Sequence, residues 1–189
     1  MKKTATTFLI ALIVSTTATA QLQQGNFLVG ADIADFRLSL NEGGLFHCSL
    51  SPKLAFFVKT NTALGAYVDF SLQTAKGAGT SIDYGVGALG RYYFSGVDVN
   101  VLKHSRLFFE GTLGINGTNP ADGESTNGLG LSIGPGVAHF ISSNVGLEAL
   151  IKYASIVGFG SRTSTSDLVL GIGLQVYLGS GLGKSKQPQ

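Results

Sequence analysis

Apolar residues alternate with small or polar ones through eight stretches of this chain, with a period of two. Successive side chains of a β-strand point to opposite faces, so this period predicts strand rather than helix. The clearest stretch is residues 82–94. Ile82, Tyr84, Val86, Ala88, Gly90, Tyr92 and Phe94 share an apolar face. Asp83, Gly85, Gly87, Leu89, Arg91 and Tyr93 share the other, which is small or polar apart from Leu89 and its aromatic end. A strand of this length is long for a globular sheet and suits a tilted crossing of a bilayer.

The same pattern predicts strands over residues 26–34, 49–58, 64–73, 107–116, 128–140, 145–154 and 167–178. Residues 59–62 and 141–144 read as tight turns. Residues 35–45, 75–81, 117–126 and 155–166 read as longer polar loops. Short turns at one end and long loops at the other are the habit of outer-membrane barrels, with the turns periplasmic. The even-numbered strands also end in aromatics: Phe56 and Phe57, then Tyr92, Tyr93 and Phe94, then Phe140, then Tyr177. These are expected to form a periplasmic-side girdle. Residues 95–106 break the rule, because a short turn is expected there. The predicted fold is all-β: an eight-stranded antiparallel up-and-down transmembrane β-barrel.

In such a barrel the apolar face meets lipid and the polar face fills the lumen. The ionisable residues expected inside are Asp32, Lys53, Asp69, Arg91, Glu110, Glu148 and Lys152. An eight-stranded barrel has room for its own side chains and little else. Buried charges need partners, so this mixed set predicts an interior salt-bridge network rather than a selective pore. Arg91 is expected to sit between Asp69 and Glu110, on the strands flanking its own.

Composition narrows the class. Residues 1–20 combine Lys2 and Lys3, an apolar run from Phe8 to Val14 and a small-residue site at Ala18-Thr19-Ala20. This is the pattern of a secretory signal peptide. It leaves residues 21–178 as the barrel and 179–189 as a polar periplasmic tail. The leader holds two of the 13 basic residues and none of the 11 acidic ones, so the remainder is balanced. No basic stripe suggests nucleic acid. Gly contributes 27 residues, about twice ordinary usage, and the glycines recur inside the strands, where they leave room in a narrow barrel. The single cysteine, Cys48, has no internal partner. Its neighbour His47 does not make it a metal site. No metal or cofactor is expected.

Two motifs do not survive their context. Gly85-Val86-Gly87-Ala88-Leu89-Gly90 spells GxGxxG, but a dinucleotide site needs that motif between a strand and a helix. Here the alternation runs straight through it. His139, Ser142 and Glu148 are close in sequence, and some eight-stranded barrels are lipid A-modifying hydrolases. Their spacing does not suit a nucleophile and its base, and the topology puts His139 and Ser142 at a turn.

Ser51-Pro52-Lys53, Leu64-Gly65-Ala66, Arg91-Tyr92-Tyr93-Phe94 and Asn144-Val145-Gly146-Leu147-Glu148 resemble motifs of an outer-membrane β-barrel family common in Bacteroidetes. The resemblance implies an eight-stranded OmpX- or OmpA-like barrel in the cell outer membrane, with no catalytic residue carried over. Such barrels usually end in an aromatic that the barrel assembly machinery reads. Here the aromatic is Tyr177, and a tail follows Leu178. The expected partners are outer-membrane lipid, the assembly machinery and an extracellular ligand of the loops. The expected role is structural, adhesive or surface-interacting, without enzymatic activity. The competing readings are a narrow channel for small solutes, a lipid A-modifying enzyme, and a soluble lipocalin-like barrel around an apolar ligand.

Overall fold

The computed structural model describes residues 22–38, 45–75, 77, 79–95, 104–122, 125–159 and 164–179. The predicted leader and all but the first residue of the predicted tail lie outside them. Eight strands follow one another: β1 (Phe27–Leu38), β2 (Leu45–Lys59), β3 (Thr62–Ala75), β4 (Gly79–Tyr93), β5 (Ser105–Asn119), β6 (Thr126–Phe140), β7 (Val145–Gly158) and β8 (Ser164–Leu178). Each pairs antiparallel with the next, and β1 pairs with β8. The sheet is therefore a closed barrel with no open edge. Closure lets every strand pair its backbone with a neighbour on both sides.

The observed strands overrun the predicted ones at the loop end. β7 continues to Gly158 and β8 starts at Ser164, through serines and threonines whose composition suggests loop. Above an apolar band both faces of a strand meet water, so the backbone ladder can continue without alternation. The connection between β3 and β4 is only residues 76–78, shorter than the loop expected there. Gly77 (φ 85°) and Gly79 (φ 77°) adopt the left-handed backbone that so tight a reversal needs. At the other end Asn61 (φ 66°) serves the turn between β2 and β3. Residues 94–104 join β4 to β5, and most of that connection lies outside the described residues.

Two ladders lapse at prolines. The β2–β3 pairing skips from Leu50 to Lys53 around Pro52. The β6–β7 pairing skips from Ile133 to Gly136 around Pro135. Proline has no N–H to donate to the ladder.

The barrel is apolar outside and holds both charged groups and a cluster of aromatic and aliphatic side chains inside. Leu54, Val68, Val86, Leu113, Leu131 and Ile172 are all about half exposed on the outer wall. Tyr84 and Phe94 both face out and are ten residues apart on one strand line. At ~3.3 Å per residue and a tilt of ~40°, that run rises about 25 Å, the height of an outer-membrane barrel's apolar band.

Alternation also corrects the expected girdle. Phe56, Tyr92 and Phe94 are outward, joined by Phe27 and Phe109. Phe57, Tyr93, Phe140 and Tyr177 point into the lumen and are buried. Adjacent residues of a strand cannot share a face, so Phe56 and Phe57 divide, as do Tyr92 and Tyr93.

Candidate functional site

The lumen is layered. At the turn end it has an aromatic floor. Tyr93 packs on Phe57 and Phe108 at centroid separations of 5.9 and 5.6 Å, and Phe140 packs on Tyr177 at 5.0 Å. The chain entering β1 closes this floor from below. Leu22 is 2% exposed, Asn61 N donates to Leu22 O, and Gly25 N donates to Phe57 O.

Above the floor lies a continuous set of ion pairs. Lys53 Nζ donates to Asp32 Oδ2 at 2.6 Å and to both oxygens of Glu110 at 3.1 Å. Arg91 Nε donates to Glu110 Oε2 at 2.9 Å, and Arg91 Nη2 also pairs with that oxygen. Arg91 Nη1 donates to both oxygens of Glu148 at 2.8 Å and to the Tyr93 hydroxyl at 2.9 Å. Tyr177 donates to Glu148 Oε1 at 2.7 Å, and Gln175 Nε2 donates to Asp32 Oδ1 at 2.9 Å. The guanidinium also lies 4.1 Å from the Phe108 ring centroid.

These residues come from β1, β2, β4, β5, β7 and β8, so the bonds cross the lumen as well as following its wall. The ionic side chains are at most 6% exposed. Three acids face two bases. Charges this deep persist because each has opposite charge and hydrogen bonds around it.

Five of the seven residues expected in the network, Asp32, Lys53, Arg91, Glu110 and Glu148, meet in this layer. Asp69 and Lys152 do not. The expected Asp69–Arg91–Glu110 arrangement is corrected on one side: Arg91's second acid is Glu148. Register explains the difference. Arg91 sits opposite Glu110 across β4–β5, but opposite Ala63 across β3–β4. Asp69 sits opposite Gly85, six residues further along the strand and so roughly 20 Å away in strand length.

Three members were not expected. Tyr93 and Tyr177 read as girdle residues and Gln175 carries no charge. Alternation does place Tyr93 on Arg91's face, which is the signal that could have found it. Asp83 also shares that face and lies higher in the lumen.

The glycine content now has a steric account at particular places. A Cβ on Gly136 would clash with the edge of the Phe108 ring at Cζ, and one on Gly130 would overlap Asn116 Oδ1. Glycine lets large side chains lie flat across the facing wall.

The His139–Ser142–Glu148 trio is not assembled. His139 Nδ1 lies 2.9 Å from Ser105 Oγ, and Glu148 belongs to Arg91. The GxGxxG run lies wholly within β4. Among the described residues no group of His, Cys, Asp and Glu could hold a metal ion. Among the described residues no helix is long and apolar enough to cross a membrane, which says nothing of a barrel.

No family model and no curated protein matches the chain. Solved structures do. The chain is similar to Neisserial surface protein A, with 21% identity, a TM-score of 0.54, and coverage of 81% of this chain and 99% of that one. The fold is that of the outer-membrane barrels. The N-terminal β-barrel domain of Pseudomonas aeruginosa OprF has 13% identity and a TM-score of 0.53, covering 82% and 98% of the two chains. The outer membrane protein OprG from Pseudomonas aeruginosa has 12% identity and a TM-score of 0.52, covering 85% and 99%. At these identities the likeness is one of fold alone.

Proposed function

We propose that this chain is an integral outer-membrane barrel with a sealed lumen, acting at its loop end in a structural, adhesive or surface-interaction role. The observation that carries the reading is the pair of cross-lumen contacts, Lys53–Glu110 and Arg91–Glu148, inside a wall that is apolar outside. A soluble carrier of apolar ligands needs the reverse arrangement. A pore needs a wet path, and here ions and aromatic rings fill it. Outer-membrane lipid and the barrel assembly machinery are the partners this reading requires, with an extracellular ligand at the loops. No enzymatic role is part of it.

The family resemblance bears on the same point. Its motifs supply Lys53, Arg91, Tyr93 and Glu148, four members of the layer that seals the lumen. We accordingly assign the chain to that Bacteroidetes family as part of the proposal.

Fractionation with a heat-modifiability gel, followed by recording in planar bilayers, tests the reading. The expected result is a detergent-dependent protein of the outer membrane, whose mobility shifts on boiling and which gives no steady conductance. A protein soluble without detergent would overturn the membrane assignment. Stable conductance would overturn the sealed lumen.

A further inference from the structure

Above the ion-pair layer the lumen is not filled. A cavity of about 180 Å³ lies there, lined by Asp69, Asp83, Asn116, Lys152 and several serine and threonine hydroxyls. Tyr67, 4% exposed, borders it, as does the Thr112–Ser132 hydroxyl pair, bonded at 2.6 Å. Asp83 and Ser71 face each other across β3–β4 towards the loop end.

This cavity differs from the layer below in its charges. Its charges are unneutralised: among the described residues Asp69, Asp83 and Lys152 are in no ion pair. Buried acceptors without a partner gather here, two against the single Gln175 Oε1 of the layer below. Among the described residues Asp69 Oδ1 and Asn116 Oδ1 are shut off from solvent and have no hydrogen-bond partner. Both atoms are acceptors, so each calls for a donor that the lining hydroxyls and Lys152 do not supply to it. Absent side chains make room for the Asn116 carboxamide in this lining. A Cβ on Gly85 or on Gly130 would strike the Asn116 carboxamide, which lies between them.

Two carboxylates against one lysine leave the cavity formally anionic. A group that completes it is small, positive and rich in N–H donors. We propose that this cavity binds a primary ammonium group. Three ammonium hydrogens meet Asp69 Oδ1, Asn116 Oδ1 and a lining hydroxyl, and Asp83 adds the second negative charge. The ammonium has two possible sources. One is a simple diamine. The other is a small amino acid, whose carboxylate would then meet Lys152.

The test is calorimetric titration of the folded full-length barrel in non-ionic detergent, with putrescine, glycine and tetramethylammonium. Tetramethylammonium has the charge but no N–H donor. The expected result is saturable binding of putrescine or glycine, no binding of tetramethylammonium, and a loss of about tenfold or more in affinity for Asp69→Asn, the scale of one hydrogen bond to a charged group. Heat-modifiable mobility shows whether that variant is folded; if it is not, Asn116→Ser carries the same comparison. Glycine binding that falls with Lys152→Met marks the zwitterion as the source. Putrescine binding that survives Lys152→Met marks the cation. Equal titration of putrescine and tetramethylammonium, or silence from all three compounds, overturns the site. Binding is read on the detergent-folded barrel, so its failure leaves the membrane reading intact, and failed fractionation leaves the cavity intact.

Discussion

Replacing Arg91 with methionine should cost more than replacing any other single charge in the lumen. The guanidinium side chain is 0% exposed and serves two carboxylates and a tyrosine hydroxyl. Their fates differ once it is gone. Glu110 keeps Lys53 at 3.1 Å. Glu148 keeps only the Tyr177 hydroxyl at 2.7 Å, beside an aromatic floor. Glu148 is therefore the stranded charge. Removing one member of a buried ion pair costs about 3–5 kcal/mol, mostly from the ion left behind. At roughly 2–4 °C per kcal/mol for a chain of this size, the melting temperature should fall by about 6–20 °C.

The assay is thermal and urea unfolding of the barrel refolded in lipid vesicles, read by the boiled-to-unboiled mobility shift. The double variant Arg91→Met/Glu148→Gln distinguishes this account from simple loss of packing. If the stranded carboxylate carries the cost, the second substitution should return about 1–3 kcal/mol, although alone it is destabilising. Asp69→Asn is the contrast: with no ion pair to lose, it should stay within about 1 kcal/mol of the parent. The reasoning is refuted if Arg91→Met unfolds at the parent's midpoint, or if the effects of Arg91→Met and Glu148→Gln simply add.

Three further outcomes are expected. The chain has no tryptophan, so single probes can be placed freely: Tyr92→Trp should be quenched by brominated lipid and Tyr93→Trp should not, and equal quenching would contradict the assignment of the two faces. Gly136→Ala drives a methyl against the edge of the Phe108 ring and should destabilise by about 1–3 kcal/mol; urea midpoints should show part of that recovered by Phe108→Leu in the same chain. Leu113→Arg puts a charge on an outward, half-exposed position opposite Ala88, midway up the apolar band, and should cost about 2–4 kcal/mol in vesicles. A cost near zero for Leu113→Arg would mean that the band does not lie in hydrocarbon.

The strand count and the faces were legible because each depends on nearest neighbours in sequence, whereas closure, which pairs β1 with β8, followed only from reading the strands as membrane-crossing. A period of two places Lys53 and Arg91 inside and Leu54 and Tyr92 outside whatever the rest of the chain does. What meets what across the lumen depends on height, and height depends on register accumulated around the whole wall. Arg91 and Asp69 stand on adjacent strands but at different levels, whereas Arg91 and Glu148 stand three strands apart and touch. No local pattern carries that information. The aromatic residues failed for a different reason. Counting aromatics at strand ends treats Phe56 and Phe57 as one signal, and alternation makes them two: an outward ring for the membrane boundary and an inward ring for the floor. Serine- and threonine-rich stretches also read as loop because water accepts either face of a strand above the band. The cavity follows from the same logic. Asp69 and Lys152 carry the charge of network members but stand above the network, next to the two proline lapses in the wall. A residue that matches the network in face and charge and misses it only in height is left with its charge unmatched. That height, fixed by register alone, is what turns two expected salt-bridge residues into the lining of the cavity.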